Sequence, residues 1–275
     1  MGRRCSGTLP RMGYSAFSFS HEVQRWLTAG WLKPGSLLLE FGAQEFYVND
    51  DETRREIGVF LRKQELSQDS IDAVLCNGPK VSAIFAAFGV KYTAIDVDGA
   101  HGSKFFDLNT FEPPLYWRNT FDFINNEGTI EHLVNPINGF HVAHELAKVG
   151  GVIRHNFPLI GWREHGFLYP TTKFYAHLVG DNGYELLRAK VTLSESTPFD
   201  DPLFKEIWDE SLERYTDLKP TITNLWGDLV YRKTADRPFV IPVDHVDGLN
   251  SANARNRLIE NYRKVAQSRN YPFSL

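Results

Sequence analysis

The stretch that most constrains this chain runs from Phe121 to Ile160: an apolar segment, a polar loop, a helix pattern and a second apolar segment. FDFINN reads as a buried strand, and Glu131-His132 falls in the loop behind it. Asn135 can cap a helix with its side-chain oxygen, and Pro136 suits the first helical position, where a missing N–H costs nothing. Ile137, Phe140, Ala143 and Ala147 recur at helical spacing, and Gly150 supplies a left-handed stop. GVIRHNFPLI then has strand character. Strand, helix and returning strand make one βαβ unit, whose polar groups lie beyond the first strand's C-terminal end. Open α/β sheets hold their ligands there.

The same alternation continues on both sides. Ser36–Phe41 is a short apolar run between turn residues, as in a central parallel strand. Helix patterns are expected at His21–Ala29, Glu52–Lys63 (behind Asn49-Asp50-Asp51) and Pro79–Phe88, with the strand KYTAIDV directly after the last. A short apolar stretch ends at Phe106, ahead of Asp107. Thr171–Asp181 reads as a helix, and Tyr184–Leu193 and Leu225–Lys233 as paired antiparallel strands. Strands alternating with helices predict an α/β fold, a mainly parallel sheet with helices on both faces. Residues 1–20 are expected to be a flexible leader and 21–234 the domain, with insertions at about 45–77 and 194–224. A C-terminal arm and charged helix occupy 235–275.

The acid-poor leader also fits a myristoylation pattern at Gly2 with Cys5 nearby, or a transit peptide. No apolar run approaches the length that crosses a bilayer. Net charge of −4 over 275 residues gives no reason to expect a nucleic-acid partner. Two cysteines, Cys5 and Cys76, cannot build a disulfide framework, and Cys76 is expected as a buried thiol in a reducing, cytoplasmic setting. Glu131, His132, His141 and His144 mix ligand types, but no HExxH frame appears and no metal is expected.

Glu131-His132, the Asn135-Pro136 helix and the Gly150-Gly151 turn together resemble class I S-adenosylmethionine (SAM)-dependent methyltransferases, roughly from Gly35 to Leu193. The resemblance implies a Rossmann-like, doubly wound sheet of seven strands with an antiparallel edge strand. It implies SAM as cofactor, held by Glu40, Gly42 and Gln44 after the first strand and by Asp96 at the ribose. Asp107 and Leu108 would meet the adenine, and Asn125, Asn126 and Glu127 the methionine end. The 54 positions between Gly42 and Asp96 are long for a minimal unit, so an extra helix is expected there. The implied activity is O-methylation of a small molecule or sugar. His165, in the loop PLIGWREHGFLYP, is then the base or acceptor ligand, with His132 as the second candidate and His155 as a packing residue. Two alternatives remain: a nucleotide-sugar or NAD-dependent relative, although GxGxxG is missing, and an inactive scaffold that binds a partner.

Overall fold

The computed structural model describes residues 13–244 except 77, 111, 161, 163, 164 and 195–223. The first twelve residues with Cys5, most of the insertion expected at 194–224, Arg163 and the terminal helix expected beyond 244 therefore lie outside the described residues. Seven strands form one sheet: β1 (Leu37–Phe41), β2 (Lys91–Asp96), β3 (Lys104–Phe105), β4 (Phe121–Glu127), β5 (Ala147–Ile160), β6 (Glu185–Ser194) and β7 (Asn224–Arg232). Their order is β3-β2-β1-β4-β5-β7-β6. Strands β1 to β5 pair in parallel, and β7 runs antiparallel to both β5 and β6.

Because side chains alternate across a strand, consecutive residues feed opposite faces. Leu38, Phe123, Val152 and Val230 pack with helices α1 (Ala16–Thr28), α2 (Asp51–Lys63), α3 (Gln68–Leu75) and α4 (Val81–Ala87). Leu39, Ile124, Ile153 and Leu229 pack on the other face against α5 (Pro136–Leu146) and α6 (Thr172–Asp181). The sheet is thus covered on both sides. Among the described residues, no helix is long and apolar enough to cross a membrane.

Local chemistry sets the helix ends. Asp50 accepts a hydrogen bond from Thr53 N at 2.8 Å to start α2, and Asn135 accepts from Asn138 N ahead of α5, with Pro136 in its first turn. Ser15 accepts from Ser18 N at 3.0 Å, so α1 begins at Ala16 and not at His21. Tyr14 and Phe19 are fully buried, and the chain has therefore entered the core before residue 20. Between β1 and β2 stand three helices, α2, α3 and α4, which account for the long Gly42–Asp96 interval. Helix α3 is only eight residues, capped by Ser67 and anchored by Ile71 and Val74, too short for its periodicity to stand out. Cys76, expected to be buried, instead lies exposed at the end of α3, because that helix turns Ile71 and Val74 to the core.

Two results follow. Gly227 sits in β7 where an added Cβ would stand 2.3 Å from the Phe157 ring. Gly227→Ala is expected to cost about 1–3 kcal/mol through overpacking, read as a lower denaturation midpoint in urea. His144, 1% exposed, bridges the Tyr184 hydroxyl and the Arg237 carbonyl at 2.6 Å each. Burial, with Lys233 close by, lowers its pKa to about 4. The unfolded chain therefore takes up a proton that the folded one refuses between about pH 6.5 and 4, and stability falls as pH falls through that window. His144→Gln is expected to flatten the pH dependence of the urea-derived stability by up to about 1.4 kcal/mol per pH unit there.

Candidate active site

The C-terminal ends of the parallel strands are tied together by their own loops. Gly42, at φ +76°, ends β1 in the left-handed region, and an added Cβ would meet Thr129 Oγ1 at 2.5 Å. Thr129 donates to the Phe41 carbonyl at 2.6 Å, which closes the β4 loop over the β1 turn. Asp96, at the end of β2, accepts from Ala43 N at 2.9 Å and from Val97 N at 2.7 Å. Asp107 accepts from Asn109 N at 2.8 Å and from Thr110 Oγ1 at 2.9 Å. Partial burial alone would raise its pKa, but these hydrogen bonds outweigh it and keep the carboxyl below its ordinary range. Asn109 in turn accepts from Val134 N and Asn135 N, and Asn138 donates to the Leu108 carbonyl at 2.7 Å. The segment Asp107–Asn109 is thereby fastened to the start of α5.

These pieces enclose a cavity of about 300 Å³, lined among others by Gly42, Gln44, Asp96, Asp107, Leu108 and His132. Five of the residues expected at the cofactor thus meet in one place, together with His132. Gln44 donates to the Glu127 carbonyl at 3.2 Å, while its buried Oε1 is without a hydrogen-bond partner.

A wider cavity of about 510 Å³ opens on the α1 side of the strand ends, with Tyr47, Trp162, His165 and Trp226 among its walls. Glu127 faces this second cavity. Glu40, Asn125 and Asn126 depart from the expected arrangement: all three are 0% exposed and committed to internal bonds. Asn125 donates to Glu40 Oε1 at 2.6 Å and to the Tyr14 hydroxyl at 2.8 Å. Burial foremost, with Glu127 nearby, raises the Glu40 pKa well above its usual value. On the opposite face Asn126 Oδ1 accepts from Thr129 N and Ile130 N, capping the one-turn 3-10 helix Ile130–His132. His155, buried by Phe140, bonds Asn126 and Tyr231, and burial with Arg154 lowers its pKa to about 3. Its role is packing and hydrogen bonding.

The floor of the wider cavity is a charge cluster that no local pattern announced. Arg154, 2% exposed, donates to Asp228 at 2.7 Å and to Asn125 at 2.9 Å, and pairs with Glu127. Arg188 reaches Asp228 at 3.0 Å and Glu22 at 3.5 Å. Burial alone would push the Arg154 pKa down, but Glu127 and Asp228 outweigh that and hold the guanidinium charged. The loop after β5 closes the cavity: Trp162 donates to the Leu225 carbonyl at 3.0 Å and packs on Trp226. His165 ends there, with its Nε2 3.7 Å from Glu131 Oε1 and its ring 5.0 Å from that of His132. His141 and His144 are elsewhere, beside Glu145 and between Tyr184 and Arg237.

The sheet is mainly parallel and Rossmann-like, with β7 inserted antiparallel between β5 and β6 at one edge. No protein-family profile and no curated protein matches the chain. Solved structures do. The Haemonchus contortus phosphoethanolamine N-methyltransferase 2 in complex with S-adenosyl-L-methionine is 14% identical, over 82% of this chain and 54% of that one, with a TM-score of 0.45. A SAM-dependent methyltransferase from Archaeoglobus fulgidus is 11% identical over 80% and 95%, with a TM-score of 0.44. The [4+2]-cyclase SpnF is 14% identical over 82% and 84%, with a TM-score of 0.43. Likeness at these levels says nothing about chemistry.

Arg154→Met is expected to cost about 3–5 kcal/mol, because Glu127 and Asp228 then keep their burial without their cation. Adding Asp228→Asn to that variant should recover part of the loss, since neighbouring charges do not add. Urea denaturation of the single and double variants measures both.

Proposed function

We propose that this chain is a SAM-dependent methyltransferase acting on a hydroxyl of a small molecule or sugar. One observation carries the reading: Gly42, Asp96 and Asp107, from three successive strand ends, line a single cavity together with His132. Asp96 keeps carboxylate lone pairs for the ribose hydroxyls while it accepts from Ala43 N. Asp107 and the Leu108 backbone take the adenine edge, and the absence of a side chain at Gly42 lets the backbone approach the nucleoside. The unpartnered Oε1 of Gln44 is available to the methionyl ammonium. The cofactor, when bound, supplies a methyl group already activated on a sulfonium.

The chain's remaining task is to position an acceptor, exclude water and remove the hydroxyl proton. The wider cavity is suited to the first two. Its aromatic walls, Tyr47, Trp162 and Trp226, offer flat apolar faces, and Glu127, Asp228 and Asn156 offer acceptors for several hydroxyls. A polyhydroxylated acceptor fits that mixture better than a purely apolar one. His132 belongs to the cofactor cavity and His165 to the wider one, so the two imidazoles stand at the seam where a hydroxyl would meet the methyl group. They are the groups that relieve it of its proton. A soluble chain working in the cytoplasm, without nucleic acid, accords with the charge balance and with the lack of a membrane-crossing helix among the described residues.

Calorimetric titration with SAM, and separately with NAD, tests the cofactor. SAM binding alone is expected, and Asp96→Ala and Asp107→Ala should each weaken it at least about tenfold, the scale of one lost charge-assisted hydrogen bond. Binding of NAD in place of SAM would sink the reading. Binding of neither by the folded protein would make the chain a scaffold.

A further inference from the structure

Glu131 is the most anomalous side chain in the described structure. It is 1% exposed, yet neither carboxylate oxygen has a hydrogen-bond donor. An uncompensated buried carboxylate costs several kcal/mol, and here the surroundings keep it in place. Its backbone carbonyl accepts from Phe167 N at 2.8 Å and from Leu168 N at 3.2 Å. Gly166 lies so close that an added Cβ would stand 2.8 Å from that same carbonyl oxygen, and at Gly128 one would stand 3.2 Å from Glu131 Oε1. The Asn126 cap fixes the turn that carries Glu131 and His132. These contacts fix the Glu131 backbone and crowd its carboxylate against Gly128 and Gly166.

Two further lone-pair donors face it. His132 has a buried Nε2 without a hydrogen-bond partner. His165 Nε2 stands 3.7 Å from Glu131 Oε1, beyond the 2.7–3.2 Å of a hydrogen bond. The ligand-capable atoms of Glu131, His132 and His165 all lie within 4.8 Å of one another. Three ligands at about 2.0–2.2 Å from one tetrahedral ion stand about 3.3–3.6 Å apart, so the widest pair must close by at most about 1.5 Å, shared between two side chains, to meet on a common centre.

We propose that Glu131, His132 and His165 form a binding site for one divalent first-row transition ion, placed in the wall between the two cavities. Two imidazole nitrogens and one carboxylate suit zinc, manganese, iron or cobalt, whereas magnesium and calcium favour all-oxygen sites. Three protein ligands leave coordination positions open, the arrangement of catalytic and not of structural sites. His165 also lines the wider cavity, so the open positions are accessible to an acceptor oxygen. That last step rests on the methyltransferase reading; the ion site itself does not. With an ion bound, the two imidazole nitrogens are occupied as ligands and no longer accept the hydroxyl proton themselves; on the methyltransferase reading the ion instead lowers the hydroxyl pKa. The released proton leaves to solvent through the mouth of the wider cavity. The S–CH3 bond then breaks as O–CH3 forms, and the thioether departs with the electron pair of the broken bond.

The test needs no turnover. Full-length protein is stripped with a chelator, dialysed, and titrated calorimetrically with zinc, manganese or magnesium chloride in the absence of SAM. One zinc or manganese ion per chain is expected to bind, raising the melting temperature, with magnesium at least about tenfold weaker. Glu131→Gln and His165→Ala should each weaken the transition ion at least about tenfold, while His101→Ala, on an exposed turn, leaves it unchanged. His165 is partly exposed, so its variant separates ligand loss from misfolding. No stoichiometric binding by the folded protein, or binding undiminished in both variants, overturns the proposal. Ion binding that persists in a protein unable to bind SAM would uphold the site and remove only its role toward an acceptor.

Discussion

The guanidinium of Arg154 is the point on which the strand ends depend. An arginine cannot shed its proton to escape burial, so the chain must bring it anions. Glu127 comes from β4, Asp228 from β7 and, more distantly, Glu22 from α1 at 3.9 Å. The parallel pairing sets Glu40 beside Asn125 and Asn125 beside Arg154, a polar row on the α1 face immediately beyond the apolar row Leu38, Phe123 and Val152. Trp26 of α1 lies under the guanidinium, its ring centroid 5.3 Å away. A slip of one residue in any of these strands would move a charge into apolar packing and an apolar side chain onto the charge cluster. The cluster thus specifies register where hydrophobic burial alone would tolerate neighbours. It gains that specificity at some cost in desolvation.

A fixed register has a functional consequence one turn away. The polar row faces α1, while Asn126, next along β4, points to the opposite face and caps the turn that carries Glu131 and His132. One strand therefore organises both halves of the site by alternation alone. Glu127 lines the wider cavity, and Asn126 holds the turn that carries His132 to the wall of the smaller one. Thr129, in the same loop, locks the β1 turn from above, so the nucleoside-sized cavity and the wider one share a rigid partition.

The parts of this arrangement that were legible in the sequence are those whose cause is local. Asn135-Pro136 and the left-handed Gly150 act within one turn of chain, and the alternation of Leu38 with Leu39 is a property of the strand itself. Asp96 and Asp107 were legible as acids that end strands. Glu40 shows the limit. It also stands near a strand end, but only the neighbouring strands decide that it faces Asn125 and Tyr14 and not a ligand. Arg154 was opaque for a related reason, since its partners lie 27, 29 and 74 positions away in the chain. His141 and His144 stand three apart on one helix, a spacing that does not tell their surroundings apart. One faces Glu145, and the other, for which a helix-surface place was the safer expectation, is sealed by Tyr184 and Arg237.

Glu131 marks where structure adds information that neither pattern nor burial supplies alone. A glutamate before a histidine in a loop is compatible with a purely structural role, in which the carboxylate binds backbone donors. Such a role leaves a signature, namely N–H groups within about 3 Å of the oxygens. Asp96 and Asp107 carry that signature, each with backbone donors at 2.7–2.9 Å. Glu131 is more deeply buried than either and has no such donor. Asp96 and Asp107 receive backbone donors and Glu40 one side-chain donor, on Oε1 alone, whereas Glu131 receives none. Among the described residues, Glu131 is the buried carboxyl group with both oxygens unpartnered, and two imidazoles stand beside it.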